Sequence, residues 1–280
     1  TIKGTEILVD WAGSSGAHSL AINAVMNYTY AYTAYPIKCV FSPEVPNNDG
    51  AFRPIKVTAP KGSLLNAQKP VPLGGRNITG NILHAPVFGA LAQAVPDKVQ
   101  ADCGSACWCI VLNGLHEDGR EYVEYFFLNG GYGARPDRDG EHVLSFPTNV
   151  ANVPIEVLEQ SAPILVTKKS LAENSAGRGR YRGGLGQVFG FKNVGTQPIN
   201  LSLLTEKTKH VSPGICGGSD SATGNIQIIP HRSIAPKGLD KLYPGEELIL
   251  TLPGGGGYGN PALREPEAKV FDELMGYFNS

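Results

Sequence analysis

Apolar positions recur with two different periods along the chain, and the change of period divides it. In the first part, Glu6 to Trp11 alternates as a strand and is ended by the turn Gly13-Ser14-Ser15-Gly16. Leu20, Ala21, Ala24, Val25, Tyr28, Tyr32 and Tyr35 then recur at spacings of three and four. That spacing predicts a helix capped by the serine hydroxyls and stopped by Pro36, with the tyrosines as a packing face. Pro46 to Gly50 is a turn, Phe52 to Ala59 a strand with Arg53 near its start, and Ile78 to Ala94 a helical pattern interrupted at Pro86. Cys107 to Leu112 and Tyr122 to Leu128 form two strands of a hairpin around His116-Glu117-Asp118-Gly119. Asn152 then caps a short helix that carries Glu156 and Glu159 and ends before Pro163.

From Tyr181 onward the period is two. Gln187 to Lys192, Ile199 to Thr205, Ile226 to Ile229 and Glu247 to Leu252 read as strands between glycine-, proline- and asparagine-rich turns. The tail from Ala262 to Phe278 reads as an amphipathic helix with Val270, Phe271, Leu274 and Phe278 on one face. The pattern predicts an α+β chain in two closely packed parts. Residues 1–175 form a mixed α/β region with long helices, and residues 176–280 a β-rich region with glycine-rich turns and a terminal helix.

Composition narrows the function classes. A formal net charge of −1 gives no field for drawing in nucleic acid or an anionic membrane, and no apolar run is long enough to span a bilayer. A cytoplasmic location is expected, because five cysteines are an odd number for a disulfide framework. Cys103, Cys107 and Cys109 lack the answering ligand pair of a zinc site, so no metal ligand is assigned and buried packing is expected of them. Glycine and proline, 35 and 21 residues, make up a fifth of the chain, against roughly 12% in ordinary proteins.

Three glycine-rich segments stand out. Gly130-Gly131-Tyr132-Gly133-Ala134-Arg135 follows a strand and suits either an anion-holding loop or a tight turn. Gly177 to Gly184 concentrates Arg178, Arg180 and Arg182, which suit an interface or structural role ahead of a bidentate grip on a carboxylate or phosphate. Pro253 to Pro261 resembles a phosphate loop only in its glycines, since it lacks the GxxxxGK[ST] pattern. There is no GxSxG elbow and no HExxH pair among the six histidines.

Taken in order, several segments resemble the hydantoinase B family, which includes B-type regions of N-methylhydantoinase and 5-oxoprolinase, caprolactamase β subunits and a related acetone carboxylase subunit. The segments are Val9 to Ser15, Asn48 to Pro54, Gly62 to Asn66, Gly89 to Ala92, Gly130 to Arg135, Asn149 to Glu159, Gly177 to Gly186 and Pro253 to Pro261. The resemblance covers nearly the whole chain, yet members are about twice as long, and it matches their C-terminal half. It implies a subunit of an enzyme that hydrolyses a cyclic amide such as a hydantoin, oxoproline or lactam. The alternatives it leaves are a subunit of an ATP-dependent carboxylase like acetone carboxylase, or a non-catalytic subunit of such a complex. The implied partners are a hydantoinase A-type subunit and the metal-bearing N-terminal half of a B-type subunit, with ATP and a divalent metal bound mainly outside this chain. Among the family-motif positions, Asp10, Ser14, Ser15 and Asp49 are the catalytic candidates. Asn23, Arg53, Arg135 and Asn149 are the substrate-binding candidates.

Overall fold

A computed structural model describes residues 1–278 except Ala106, Ser145 and His231. The chain forms an α+β structure that divides into two compact units, Thr1–Val99 and Gln100–Ser280. The boundary expected near residue 175 falls inside the second unit, because strands on either side of it share a sheet.

In the first unit, β1 (Ile2–Lys3) and β2 (Glu6–Asp10) form a hairpin, and β3 (Ile55–Thr58) runs parallel to β2 on its other side. Helix α1 (Met26–Phe41) starts later than the periodicity suggests and has no side-chain cap. Asn23 accounts for the delay by tying up the backbone of the preceding loop, so residues 18–20 satisfy their polar groups without a helix. Nor does Pro36 stop α1. A proline inside a helix costs about 3 kcal/mol, but burying Ile37 and Val40 just beyond it contributes about 1.5–3 kcal/mol each. The short helix α2 (Asp49–Phe52), capped by Asn48, takes the start of the expected strand. The helical pattern around Pro86 resolves into α3 (Arg76–Ile82) and α4 (His84–Leu91), and Pro86 falls in the first turn of α4, where no intrahelical donor is needed. The tyrosine stripe is a packing face: Tyr28 and Tyr32 close over Gly80 of α3, where a Cβ would lie 2.5 Å from the Tyr28 ring.

The second unit is a sandwich of two antiparallel four-stranded sheets. One has the order β10-β8-β4-β5, with β4 (Trp108–Leu115), β5 (Glu121–Leu128), β8 (Ile199–Leu204) and β10 (Lys237–Leu242). The other has the order β6-β7-β11-β9, with β6 (Ile164–Leu171), β7 (Gln187–Asn193), β9 (Asn225–Ile229) and β11 (Glu247–Thr251). Alternate residues of both sheets meet in one core, in which Phe126, Phe189 and Phe191 pack ring against ring. The predicted hairpin is β4–β5. Strands β6 and β10 escape prediction because most of their residues face solvent and are polar. Helix α5 (Ile155–Ser161) is entered at Pro154, and Asn152, the expected cap, instead bonds the Gln187 side chain at 3.3 Å.

At the C-terminus, α6 (Pro266–Leu274) reverses the expected orientation. Val270, Phe271 and Leu274 are exposed, and Asp272 is its buried residue. Ion pairs from Asp272 to Arg182 and Arg264 hold the helix in this pose.

The three glycine-rich segments lie on one another backbone to backbone. Gly177 N–H donates to Gly255 O, Gly184 N–H to Tyr132 O, and Gly255 N–H to Gly184 O, at 2.8–2.9 Å. A Cβ on Gly131 would sit 1.8 Å from Gly184 O, and one on Gly255 would sit 2.0 Å from Tyr132 O. Neither neighbour is a side chain that could move aside.

Gly131→Ala is therefore expected to destabilise the second unit by about 3 kcal/mol or more, at or above the upper end of ordinary overpacking. Gly89→Ala, on an open helix surface, should stabilise the first unit by roughly 0.5–1 kcal/mol. Denaturant titration of the two variants checks both signs.

Candidate functional site

Asp10 ends β2 and opens the turn that carries the two serine candidates. Its Oδ1 accepts from Ala12 N–H at 3.0 Å and from Thr58 Oγ1 at 3.1 Å. The Ser14 hydroxyl donates to Trp11 O at 2.7 Å, and the Trp11 indole donates to Thr33 Oγ1 of α1 at 3.1 Å, which fixes the turn on the helix. Ser15 is exposed, and its carbonyl accepts from Leu64 N–H. Asp10 and Trp11 also border an apolar cleft of about 500 Å³ between β2 and α4.

The remaining first-unit candidates do not converge on this turn. Asp49 and Arg53 pair at 2.8 Å on the exposed surface of α2, and the Asp49 carboxylate raises the Arg53 pKa by hydrogen bonding. They lie at the start of β3, whereas Asp10 lies at its end, opposite Thr58. The strand between spans roughly 10 Å. Asn23 is fully buried. Its Oδ1 accepts from His18 N–H, and its Nδ2 donates to the carbonyls of His18, Leu20 and Pro72. With these groups engaged, the geometry makes it a loop clamp.

Arg135 and Asn149 belong to the second unit. Arg135 pairs closely with Glu141 and stacks over the Tyr132 ring, 5.1 Å from its centroid. Asn149 is exposed and adopts a left-handed φ of 52°. The three arginines of the glycine-rich segment part company. Arg178 stacks on Phe278 and Arg180 on Tyr181, both with exposed side chains, while Arg182 is buried.

Arg182 anchors a network that the sequence pattern did not reveal. Its Nε donates to Asp272 Oδ1 at 2.9 Å; Arg264 donates to both Asp272 oxygens and to both Asp139 oxygens at 2.8–3.0 Å. His142 lies against this cluster and accepts from Leu185 N–H through Nδ1 at 2.9 Å. Burial, and then the Arg182 charge, push its pKa down to about 4, so it is a neutral acceptor.

A second polar cluster lies where β8 ends. Lys207 donates to Asp102 Oδ2 at 2.5 Å, to Ser212 Oγ at 3.1 Å, and to the Cys103 carbonyl. Beside it, burial pushes the Glu206 carboxyl up to about 8, with Lys207 and Lys237 opposing. A carboxyl near neutrality suits proton transfer, but Glu206 is 5% exposed and sealed from substrate. The visible signal for this cluster was the charged pair Glu206-Lys207 directly after an alternating strand.

The loops offer little to a phosphate. Gly254, Gly255, Gly256 and Gly257 donate their N–H groups to the carbonyls of Ser175, Gly184, Asp102 and Ser219. Gly130, Gly131, Tyr132, Ala134 and Arg135 likewise donate to backbone carbonyls. Both segments are structural turns with their donors consumed. Metal ligands are equally lacking: among the described residues no three His, Cys, Asp or Glu side chains stand where they could hold an ion. Burial pushes the Cys103 thiol up to about 12, which disfavours the ligating thiolate, although its sulfur accepts from Gly133 N–H, which acts in the opposite sense.

The family model described as hydantoinase B/oxoprolinase matches residues 1–261. A putative D-/L-hydantoinase B-type subunit of Pseudomonas sp. strain NS671 is 33% identical over 83% of this chain and 40% of its own length. The crystal structure of an ATP-dependent caprolactamase from Pseudomonas jessenii superposes with a TM-score of 0.88 at 25% identity, over 99% of this chain and 50% of that one. A nucleotide-free acetone carboxylase structure shares the fold, with a TM-score of 0.80 at 18% identity over 97% of this chain and 42% of that one. The chain thus spans about half the length, or less, of the relatives it matches.

The ionic network makes a pH prediction. An unfolded histidine binds its proton near pH 6.5, whereas His142 in the fold does so near pH 4. Between those values the unfolded state holds the extra proton, so this group's contribution to stability falls as pH drops. Glu206 acts in the opposite sense, because its folded pKa is raised and its stabilisation is lost as pH rises toward 8. The readout is therefore the difference between wild type and His142→Asn, in which the amide oxygen can still accept from Leu185. Denaturation midpoints should converge as pH falls from 6.5 to 4.

Proposed function

The chain belongs to the hydantoinase B/oxoprolinase family, and from that membership we propose that it is part of a B-type polypeptide in a multi-subunit enzyme that opens a cyclic amide. The substrate class is a hydantoin, oxoproline or lactam. The observation that carries this reading is the match to the caprolactamase along essentially the whole chain. The shared fold with acetone carboxylase, at 18% identity, supports no activity by itself.

Opening a cyclic amide requires water to add to a poorly electrophilic carbonyl, so the carbonyl must be activated. Among the described residues no three His, Cys, Asp or Glu side chains stand where they could hold a metal, and the amides of Gly254 to Gly257 are already bonded to carbonyls. ATP and a divalent metal would therefore be held mainly outside this chain, by a hydantoinase A-type subunit and by the metal-bearing half of a B-type polypeptide. This chain would provide polar contacts to the substrate. Asp10 and Ser15 are exposed and fixed by a rigid turn, which suits proton transfer and hydrogen bonding at the amide. The exposed Arg53, oriented by Asp49, suits a substrate carboxylate or ring carbonyl. In the second unit by itself, Arg135, held in place by Glu141, and Asn149 would offer polar contacts of their own. Ser14 and Asn23 would act by holding their loop. The proposed location of the assembly is the cytoplasm; among the described residues no helix is long and apolar enough to cross a membrane.

The test is co-expression with the neighbouring subunits, followed by assays with hydantoin, 5-oxoproline and caprolactam, with and without ATP. Ring-opened acid should form in the assembly, and none with the isolated chain. Asp10→Asn, whose amide oxygen can still accept from Ala12 and Thr58, should lower kcat/KM by about 100-fold with an unchanged melting temperature. Turnover by the isolated monomer would overturn the reading. Bicarbonate incorporation into a ketone would select a carboxylase instead.

A further inference from the structure

The two sheets of the second unit bury one face each, and the outer face of β10-β8-β4-β5 departs from the usual pattern. Ile110 and Leu112 of β4, Tyr122 and Phe126 of β5, and Leu201 and Leu203 of β8 belong to the core. Their alternating neighbours therefore point outward. An antiparallel sheet facing water carries polar residues there, yet this one carries Val111, Val123, Tyr125, Phe127, Leu204 and Leu239. Val123, Tyr125 and Leu239 are 70%, 52% and 87% exposed. The Tyr125 and Phe127 rings meet edge to face at 4.7 Å. Apolar surface gathered in this way on one face marks an interaction site.

The strand register sets these residues in rows. Leu239, Ser202, Val111 and Tyr125 cross the sheet in one row, and Lys241, Asn200, Asn113 and Val123 in the next. Among the outward positions the charges lie only on the two edge strands, Lys237 and Lys241 on β10 and Glu121 on β5. In the middle of the sheet, Asn200 Nδ2 donates to Asn113 Oδ1 at 3.0 Å. That leaves the Asn113 amide nitrogen as a donor and the Asn200 amide oxygen as an acceptor.

We propose that this face packs on the same face of a second copy of the chain, about a two-fold axis that runs along the strands between β4 and β8. The operation lays β5 on β10 of the second copy and β4 on its β8, so each row meets itself reversed. Tyr125 lies opposite Leu239 of the second copy, Val111 opposite Ser202, and Asn113 opposite Asn200. The spare Asn113 donor and the spare Asn200 acceptor are thereby brought to each other, twice over. Lys241 falls on the end of β5 that carries Val123 and Glu121, and Lys237 falls on the Phe127 ring, where a cation is favoured. The division of charge selects this occupant. A face that is basic at one edge and acidic at the other is complementary to itself under this axis, whereas a partner of uniform charge would meet like charge at one edge. Four strands about 4.8 Å apart and six residues of about 3.4 Å give a face of roughly 19 Å by 20 Å, so the dimer belongs with the smaller, reversible interfaces. The dimer is independent of which reaction the assembly performs.

The experiment is sedimentation velocity of the chain over a wide range of concentration, on wild type and three variants. Wild type should pass reversibly from monomer to dimer. Val123→Lys sets a lysine against Lys241 of the second copy and should weaken the dimer at least tenfold with an unchanged melting temperature. Adding Lys241→Glu to that variant places opposite charges face to face and should restore the dimer to within a fewfold of wild type. Val194→Lys, exposed beyond β7 in the other sheet, should leave it unchanged. A chain that stays monomeric at every concentration, or a dimer indifferent to Val123→Lys, overturns the inference. A dimer that Val123→Lys weakens and Lys241→Glu fails to restore overturns the two-fold arrangement. A monomer that instead binds the complementary B-type half, and loses it in Val123→Lys, would assign the face to that half and also overturn the inference.

Discussion

In the second unit, everything depends on how closely three stretches of backbone approach one another. A side chain on Gly131, Gly183 or Gly255 would occupy the position of a neighbouring carbonyl, at 1.8–2.0 Å. Glycine is required there for space, since none of the three adopts a positive φ. The close approach allows amides and carbonyls from distant parts of the sequence to satisfy each other without forming a sheet. Buried main-chain groups must be paired, and glycine segments accomplish this here at a density that ordinary loops cannot reach. The same pairing removes the N–H groups that an anion would need.

That backbone cluster also sets the ionic network. Arg182 leaves the glycine-rich segment between Tyr181 and Gly183, whose amides bond Tyr258 O and Gly177 O. Its guanidinium is therefore delivered to a fixed point, and Arg264, Asp139 and Asp272 complete the charges around it. A buried ion pair gains little over an apolar contact of similar size, but losing one partner typically costs about 3–5 kcal/mol. The network thus acts as a positional lock more than a source of net stability. Its effect is visible in α6, whose one buried side chain is charged and whose apolar side chains face outward.

Much of this was legible in the sequence where one local rule acted alone. The β4–β5 hairpin, and strands β7, β8, β9 and β11, follow from alternation bounded by turn residues. Errors arose where a longer-range contact overrode the local signal. Asn23 delayed α1 by bonding across to Pro72, and burial of Ile37 and Val40 carried that helix past Pro36. The face of α6 was reversed by Asp272, whose arginine partners lie 90 and 8 residues away. Strands β6 and β10 were hidden because half-exposed strands carry no apolar signature. Among the candidate residues, the sequence marked the turn after Asp10 and, separately, Asp49 and Arg53. It could not reveal that they stand at opposite ends of β3, since strand direction depends on pairing and not on local pattern.

That separation bears directly on how the work is divided. A general base and an oxyanion donor must both reach one reacting carbonyl at about 3 Å. Within the first unit, Asp10 and Arg53 are separated by the length of β3, and the groups bonded to the Asp10 carboxylate are the Thr58 hydroxyl and one backbone amide, that of Ala12. The groups bonded at the Asp10 turn do not make up such a pair, and in the second unit the amides of Gly254, Gly255, Gly256 and Gly257 are already bonded to carbonyls. On the proposed function, the chemistry would be completed by groups brought to the Asp10 turn from elsewhere in the proposed assembly.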